Sequence, residues 1–295
     1  MSARDVGVIG IGQMGRGIAR RLDGVGRLCA VFDPSAAAIE AAQLSPEVAV
    51  AKPLEMAALC ERVLFVVPGS DEVAACLLGE GGLLAAARPG TVVLDLTTSD
   101  PAATARLAGA AAGHGVAYLD CGMSGGAVGA DEGRLTLMVG GEAAALEDCR
   151  DLLEVIAAQV FHVGASGAGH TMKLIHNLVC HTVFLATCEG ALMAGRAGIG
   201  LARAIEVLNA GNARSFASEV RFPQHILSGA FDGRSRVANL EKDLRMAVTL
   251  AERIGAPSAL GRQSAAILAR ALEEGHADHD FTTLYLELER LLAPG

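Results

Sequence analysis

The sequence predicts an α/β chain: an N-terminal doubly wound sheet followed by an all-helical C-terminal domain. Three observations predict it. Short apolar runs alternate with helix-like stretches through the first half, the mark of strand–helix winding. Several runs are continuously apolar, as strands covered on both faces of a parallel sheet must be. Beyond Gly164, Gly167 and Gly169 no strand pattern recurs, and helical periodicity takes over. The expected division is therefore residues 1–163 for the sheet domain and 164–295 for the helical one.

In order, the expected strands are Val6–Ile9, Leu28–Phe32, Val63–Val67, Val92–Leu96, Val116–Leu119, Leu135–Val139 and Val160–His162. A long helix is then expected from about His170 to Arg196. At 1.5 Å per residue it would span roughly 40 Å, the length of a spine that joins domains or subunits. Its segment Leu174–Gly195 is apolar enough to suggest a membrane span. His176, Asn177, His181 and Glu189 interrupt it, which favours a buried interdomain helix instead.

The 295 residues are 52% hydrophobic, ample for two cores. A net charge of −9 and the lack of any Lys/Arg cluster exclude a nucleic-acid footprint. Seven scattered Cys without a C-x-x-C pair read as reduced thiols, and Val6-Gly7-Val8-Ile9 follows the first residues with no signal-peptide pattern. Both point to the cytoplasm. His176 and His181 diverge at i, i+5 with no carboxylate at ligand spacing, so no metal site is expected. Three of the 24 basic residues are Lys: Lys52, Lys173 and Lys242. Arg stays protonated, whereas Lys can exchange a proton, so each Lys asks for a reason.

Gly10-Ile11-Gly12-Gln13-Met14-Gly15 follows the first strand and opens a helix. The first Gly permits a tight turn, the second a close approach by a pyrophosphate, and the third close helix–strand packing. The helix N-terminus adds free N–H groups and a positive dipole end. This is a dinucleotide-binding fingerprint of the Rossmann type. Asp33, at the end of the second strand, is placed to accept from the adenosine ribose and to repel a 2′-phosphate. Pro34 and Ser35 follow it, with no Arg to receive that phosphate, so NAD is expected rather than NADP. Val67-Pro68 and Thr98 stand at later strand ends, where ligands of such sheets bind.

Asp120-Cys121-Gly122-Met123-Ser124-Gly125-Gly126 follows the strand Val116–Leu119 and is expected to turn there, aiming N–H groups and a hydroxyl at a carboxylate. Lys173 and Asn177 lie four apart on the long helix and share a face, with His170 and His181 near the same stripe. A hydroxyl that loses hydride must also lose its proton, and a Lys in a closed site can take it. Asn177 could hold the substrate oxygen or carboxylate, or be a satisfied helix-face amide.

Taken together, G-V-I-G-I-G-Q-M-G at 7–15, M-S-G-G-A at 123–127, G-R-L-T-L-M-V-G-G at 133–141, G-A-G-H-T-M-K-L-I-H-N at 167–177 and L-E-K-D-L at 240–244 resemble the β-hydroxyacid dehydrogenases, 3-hydroxyisobutyrate dehydrogenase and tartronate semialdehyde reductase among them. The resemblance implies a dimer or tetramer in which Lys173 is the catalytic lysine, Ser124, Gly125, Gly126 and Asn177 hold substrate, and Thr98 and Lys242 contact the cofactor. The implied partner is a small hydroxy acid or its semialdehyde. Gly122-Met123 replaces the family's usual Pro-Val. That change and the K-L-I-H-N run are closer to 6-phosphogluconate dehydrogenases, which makes oxidative decarboxylation of a sugar acid the alternative. The phosphate-binding Arg set of such an enzyme is not evident in the C-terminal half. A catalytically silent dinucleotide-binding scaffold is the reading from another class, and Lys173 argues against it.

Overall fold

Eight strands form one sheet in the order β3-β2-β1-β4-β5-β6-β7-β8, seen in a computed structural model that describes residues 4–293. The strands are β1 Val6–Ile9, β2 Leu28–Phe32, β3 Ala49–Val50, β4 Arg62–Phe65, β5 Val92–Asp95, β6 Ala117–Ser124, β7 Leu135–Gly140 and β8 Ala157–Gly164. The helices of this half are α1 Gln13–Gly24, α2 Ala36–Ala42, α3 Pro53–Leu59, α4 Ser70–Leu78, α5 Pro101–Ala112, α6 Gly126–Glu132, α7 Ala143–Glu147 and α8 Arg150–Ile156.

Strands β1 to β6 are mutually parallel; β1, β2, β4 and β5 are largely buried on both faces, as their continuous apolar runs require, whereas the edge strand β3 is exposed. Along β4 the side chains alternate between two cores: Leu64 joins Ile18 and Leu22 of α1, while Val63 and Phe65 join Met56 of α3 and Leu77 of α4. The order reverses between β1 and β4, which opens a crevice at the carboxyl ends of these strands.

Three expectations need correction. The sheet is mixed, because β7 runs antiparallel to β6. The connection from Gly125 to Arg134 is too short for the crossover that a parallel neighbour needs. Second, β6 does not end at Leu119: residues 120–124 pair with β7, so the turn begins only at Gly125. Third, Val160–His162 is the middle of a longer strand that runs to Gly164. The two-residue β3, too short to show a period, was not expected at all.

The chain divides into one compact unit ending at Lys173 and another beginning at Leu174. The second unit is helical: most of the 29-residue α9 Ala168–Arg196, then α10 Leu201–Ala210, a π-helix Ala217–Ile226, α11 Val237–Arg253, α12 Ala259–Glu273 and α13 Leu284–Leu292. Phe184, Cys188, Phe222, Leu244, Leu268, Phe281 and Leu288 pack its core. Among the described residues α9 is the one helix long and apolar enough to cross a membrane by length and composition. The expectation that it is buried is corrected: only 22% of its most apolar window is buried, and Ile175, Val179 and Val183 are exposed.

Candidate active site

The loop between β1 and α1 has the three glycine roles the sequence anticipates. Gly10 has φ +94°, and a Cβ on it would stand 2.3 Å from the Val66 carbonyl oxygen, so only glycine fits. A Cβ on Gly15 would meet the Gly10 carbonyl oxygen at 1.8 Å, which locks the helix close to the turn. A Cβ on Gly12 would meet no neighbouring group within 4 Å. That open side adjoins the N-terminus of α1, which no side chain caps and whose first turn contains no acidic residue. The amides at Gln13, Met14 and Gly15 can therefore receive an anion, and the residues present fit the pyrophosphate of a dinucleotide.

Asp33 ties this loop together. Its Oδ2 accepts the Ile11 N–H at 2.7 Å and its Oδ1 the Ser35 N–H at 2.8 Å. Each oxygen keeps a second lone pair, enough for ribose hydroxyls. Val67 and Pro68 lie just past β4, with Val67 Cγ1 3.0 Å from where a Gly10 Cβ would be. Thr98 lies half-buried between β5 and α5. Gly10 to Gly15, Asp33, Val67, Pro68 and Thr98 thus gather at the carboxyl edge of the parallel strands.

Lys173 is set by a contact between β6 and the start of α9. A Cβ on Gly122 would fall 2.5 Å from Lys173 Cβ and 2.9 Å from the Gly169 carbonyl oxygen. A Cβ on Gly169 would fall 2.1 Å from the Asp120 carbonyl oxygen. Glycine at both positions lets backbone meet backbone. Asp120 then caps the helix from mid-strand, its Oδ1 accepting Gly167 N–H at 2.7 Å and its Oδ2 His170 N–H at 2.9 Å.

His170 is fully buried and fixes the same turn from its other side. Its Nε2 donates to the Asp95 carbonyl oxygen at 3.1 Å, and its Nδ1 shares a hydrogen bond with the Thr104 hydroxyl at 2.7 Å. The Asp95 carboxylate takes the Tyr118 hydroxyl at 2.6 Å and the Thr97 N–H at 3.0 Å. Burial, then the Asp95 charge, pushes the Tyr118 phenol well above its ordinary value, so it stays a donor. Lys173, one turn along α9, is 9% exposed.

Ser124 closes β6, and Gly125 (φ +125°) and Gly126 (φ +63°) make the turn that follows. In the second unit, Asn177 is buried and donates through Nδ2 to Asp243 Oδ2 at 2.6 Å, while its Oδ1 faces His176 Nδ1 at 3.0 Å. Lys242 Nζ lies 3.6 Å from Asp243 Oδ1 on α11. Asp243 therefore positions the Asn177 amide, leaving one amide hydrogen and one carbonyl lone pair for a ligand.

Asp120, His170, Gly122 and Asp243 are the residues to which sequence reasoning gave no such role. Asp120 and Asp243 stand inside the quoted motifs; a carboxylate there was the only signal. No group of three or more His, Cys, Asp or Glu among the described residues is placed to hold a metal.

Comparison with known proteins agrees with this geometry. Residues 5–164 match the family described as the NAD binding domain of 6-phosphogluconate dehydrogenase, and residues 167–288 match the NAD-binding family of NADP-dependent 3-hydroxyisobutyrate dehydrogenase. The chain is 31% identical to 2-(hydroxymethyl)glutarate dehydrogenase of Eubacterium barkeri, over 82% of this chain and 81% of that one. It is also 31% identical to L-threonate dehydrogenase of Cupriavidus necator, over 99% of each. The solved 3-hydroxyisobutyrate dehydrogenase of Mycobacterium tuberculosis with L-serine superposes at a TM-score of 0.87 with 28% identity, over 97% of this chain and 99% of that one. With its dinucleotide loop, its lysine-bearing helix and these relatives, the chain belongs to the β-hydroxyacid dehydrogenase family, oxidoreductases that act on hydroxyl groups with a nicotinamide dinucleotide.

Proposed function

We propose that the protein interconverts a small 3-hydroxy acid and its semialdehyde or keto acid, with NAD as the dinucleotide and Lys173 as general acid/base. The observation that carries this reading is the fixing of Lys173. Its stem packs on Gly122 and its helix start is held by Asp120 and His170, in the same unit that carries the dinucleotide loop. Proton transfer needs a donor and acceptor held within hydrogen-bond reach, and a helix pinned at its first turn supplies that rigidity.

The bound nicotinamide would accept hydride from the carbinol carbon. In that direction Lys173 Nζ takes the hydroxyl proton, and in reduction it returns it. Ser124 and the Gly125 and Gly126 amides would receive the carboxylate, and Asn177, oriented by Asp243, the reacting oxygen. NAD is favoured over NADP because the Asp33 carboxylate repels a 2′-phosphate and Pro34-Ser35 offers no cation to hold one.

The test follows nicotinamide absorbance with NAD or NADP and a panel containing 3-hydroxyisobutyrate, L-serine, L-threonate, 2-(hydroxymethyl)glutarate and 6-phosphogluconate. Reduction of NAD by one of these acids, faster than of NADP, is expected. Stoichiometric carbon dioxide with each turnover would instead favour the decarboxylating reading. Dinucleotide binding without turnover of any hydroxy acid would favour a silent scaffold.

We also propose that a second copy of the chain covers the exposed Ile175, Val179 and Val183 stripe of α9, giving a homodimer or homotetramer in the cytoplasm. Light scattering that finds a monomer at micromolar concentration would contradict this.

A further inference from the structure

The loop between β5 and α5 carries Thr98, and its own side chains do little to hold it. Thr97 and Ser99, on either side, are buried, yet among the described residues neither hydroxyl has a hydrogen-bond partner. A buried loop keeps one shape only if its polar groups are tied to something outside it. Asp95, the fully buried last residue of β5, supplies the first tie. Its Oδ1 accepts the Thr97 N–H at 3.0 Å, and the preceding Leu96 N–H goes to the Phe65 carbonyl oxygen at 2.9 Å. The Tyr118 hydroxyl on Oδ2 anchors that carboxylate to β6.

His170 spans the loop. Its Nε2 donates to the Asp95 carbonyl oxygen, just before the loop, and its Nδ1 shares a hydrogen bond with Thr104, just beyond it on α5. The imidazole belongs to the first turn of α9, three residues ahead of Lys173. Backbones meet there as well: a Cβ on Gly167 would lie 3.6 Å from the Pro101 carbonyl oxygen, so α5 and α9 approach where both begin. Underneath, Asp95 and Asp120 face each other in register on β5 and β6. The first holds the Thr98 loop and the second caps the lysine-bearing helix. Every residue of this frame lies in the unit that ends at Lys173.

We propose that the His170 imidazole clasps the Thr98 loop to the Lys173 helix and so fixes the cofactor contact relative to the group that moves the proton. His170 is then a positioning residue for hydride transfer, beyond its hold on the lysine-bearing turn. Hydride and proton leave one carbinol, so their acceptors must keep a set separation, and a misplacement of about 1 Å costs on the order of 100-fold in rate. The inference rests on the reading above, in which Thr98 contacts the dinucleotide and Lys173 exchanges the proton.

The test is a double-mutant cycle read by single-turnover hydride transfer to NAD. It uses an acid that wild type oxidises and combines His170→Ala or His170→Gln with Lys173→Ala. His170→Ala should slow the transfer about 10–100-fold with the NAD dissociation constant unchanged. His170→Gln should recover most of the loss, because its amide can donate to Asp95 and bond Thr104. A residue that acts through the lysine alone has no further effect once the lysine is gone, whereas a clasp on the cofactor loop must slow the reaction again, by about tenfold. Equal rates for Lys173→Ala with and without His170→Ala overturn the proposal. A wild-type rate in Lys173→Ala contradicts the proton-transfer reading instead.

Hydrogen exchange of the NAD-bound protein needs no substrate and detects a misfolded variant. His170→Ala, and the milder Thr104→Val, should speed amide exchange in residues 96–104 and 167–173 together and leave the rest of the sheet domain as in wild type. Faster exchange in 167–173 alone, or throughout the domain, overturns the clasp.

Discussion

Asp120 caps the helix that carries Lys173: from the middle of β6 its carboxylate accepts the His170 amide at 2.9 Å, and its other oxygen accepts Gly167. The two groups are fifty residues apart in the chain. A charged acceptor on two buried N–H groups is worth more than a surface cap, because neither donor has water to fall back on.

Asp120→Ala should therefore cost about 3 kcal/mol of stability. For a chain of this size that lowers the unfolding temperature by roughly 5–10 °C. Turnover should fall further than dinucleotide affinity does, because the lysine-bearing turn loosens while the Gly10–Gly15 loop is untouched. Calorimetry with parallel NAD titration checks both; an unchanged unfolding temperature would remove Asp120 from the account.

Gly122→Ala tests the backbone contact beneath Lys173. The new methyl would arrive 2.5 Å from Lys173 Cβ and 2.9 Å from the Gly169 carbonyl oxygen, and the second is backbone that cannot swing away. Overpacking of this kind costs about 1–3 kcal/mol. Displacing the lysine by even an ångström should lower kcat on the order of 100-fold. Steady-state kinetics that match wild type would show that the helix does not need this approach.

These residues also mark how far the sequence is legible. The dinucleotide loop was readable because its requirements are local: three glycines, a strand before and a helix after. Lys173 stood out by composition, one of three Lys among 24 basic residues. Asp120 could not be read as a cap, since the helix end it serves lies 47 residues onward and the strand containing it looked finished at Leu119. The hydrogen bonds that extend β6 come from β7, and antiparallel pairing over a short connection leaves no period in either strand alone.

Asp33 holds two jobs, and its substitution should show both. Asp33→Ala removes the charge that repels a 2′-phosphate, so the NAD/NADP ratio of kcat/KM should fall roughly tenfold. It also releases the Ile11 amide held at 2.7 Å, so affinity for NAD itself should weaken. Measuring both cofactors separates the effects. A preference that stays fixed would mean that some other residue sets cofactor choice.

The central claim is that Lys173 transfers the substrate proton, and the most direct measurement is single-turnover hydride transfer by Lys173→Ala. Enzyme loaded with NAD would be mixed with an acid that wild type oxidises, and reduced nicotinamide followed at its absorbance band. The account predicts a rate lower by about 10²–10⁴-fold, with NAD binding largely retained. A rate equal to wild type, with the same bound NAD, would contradict it.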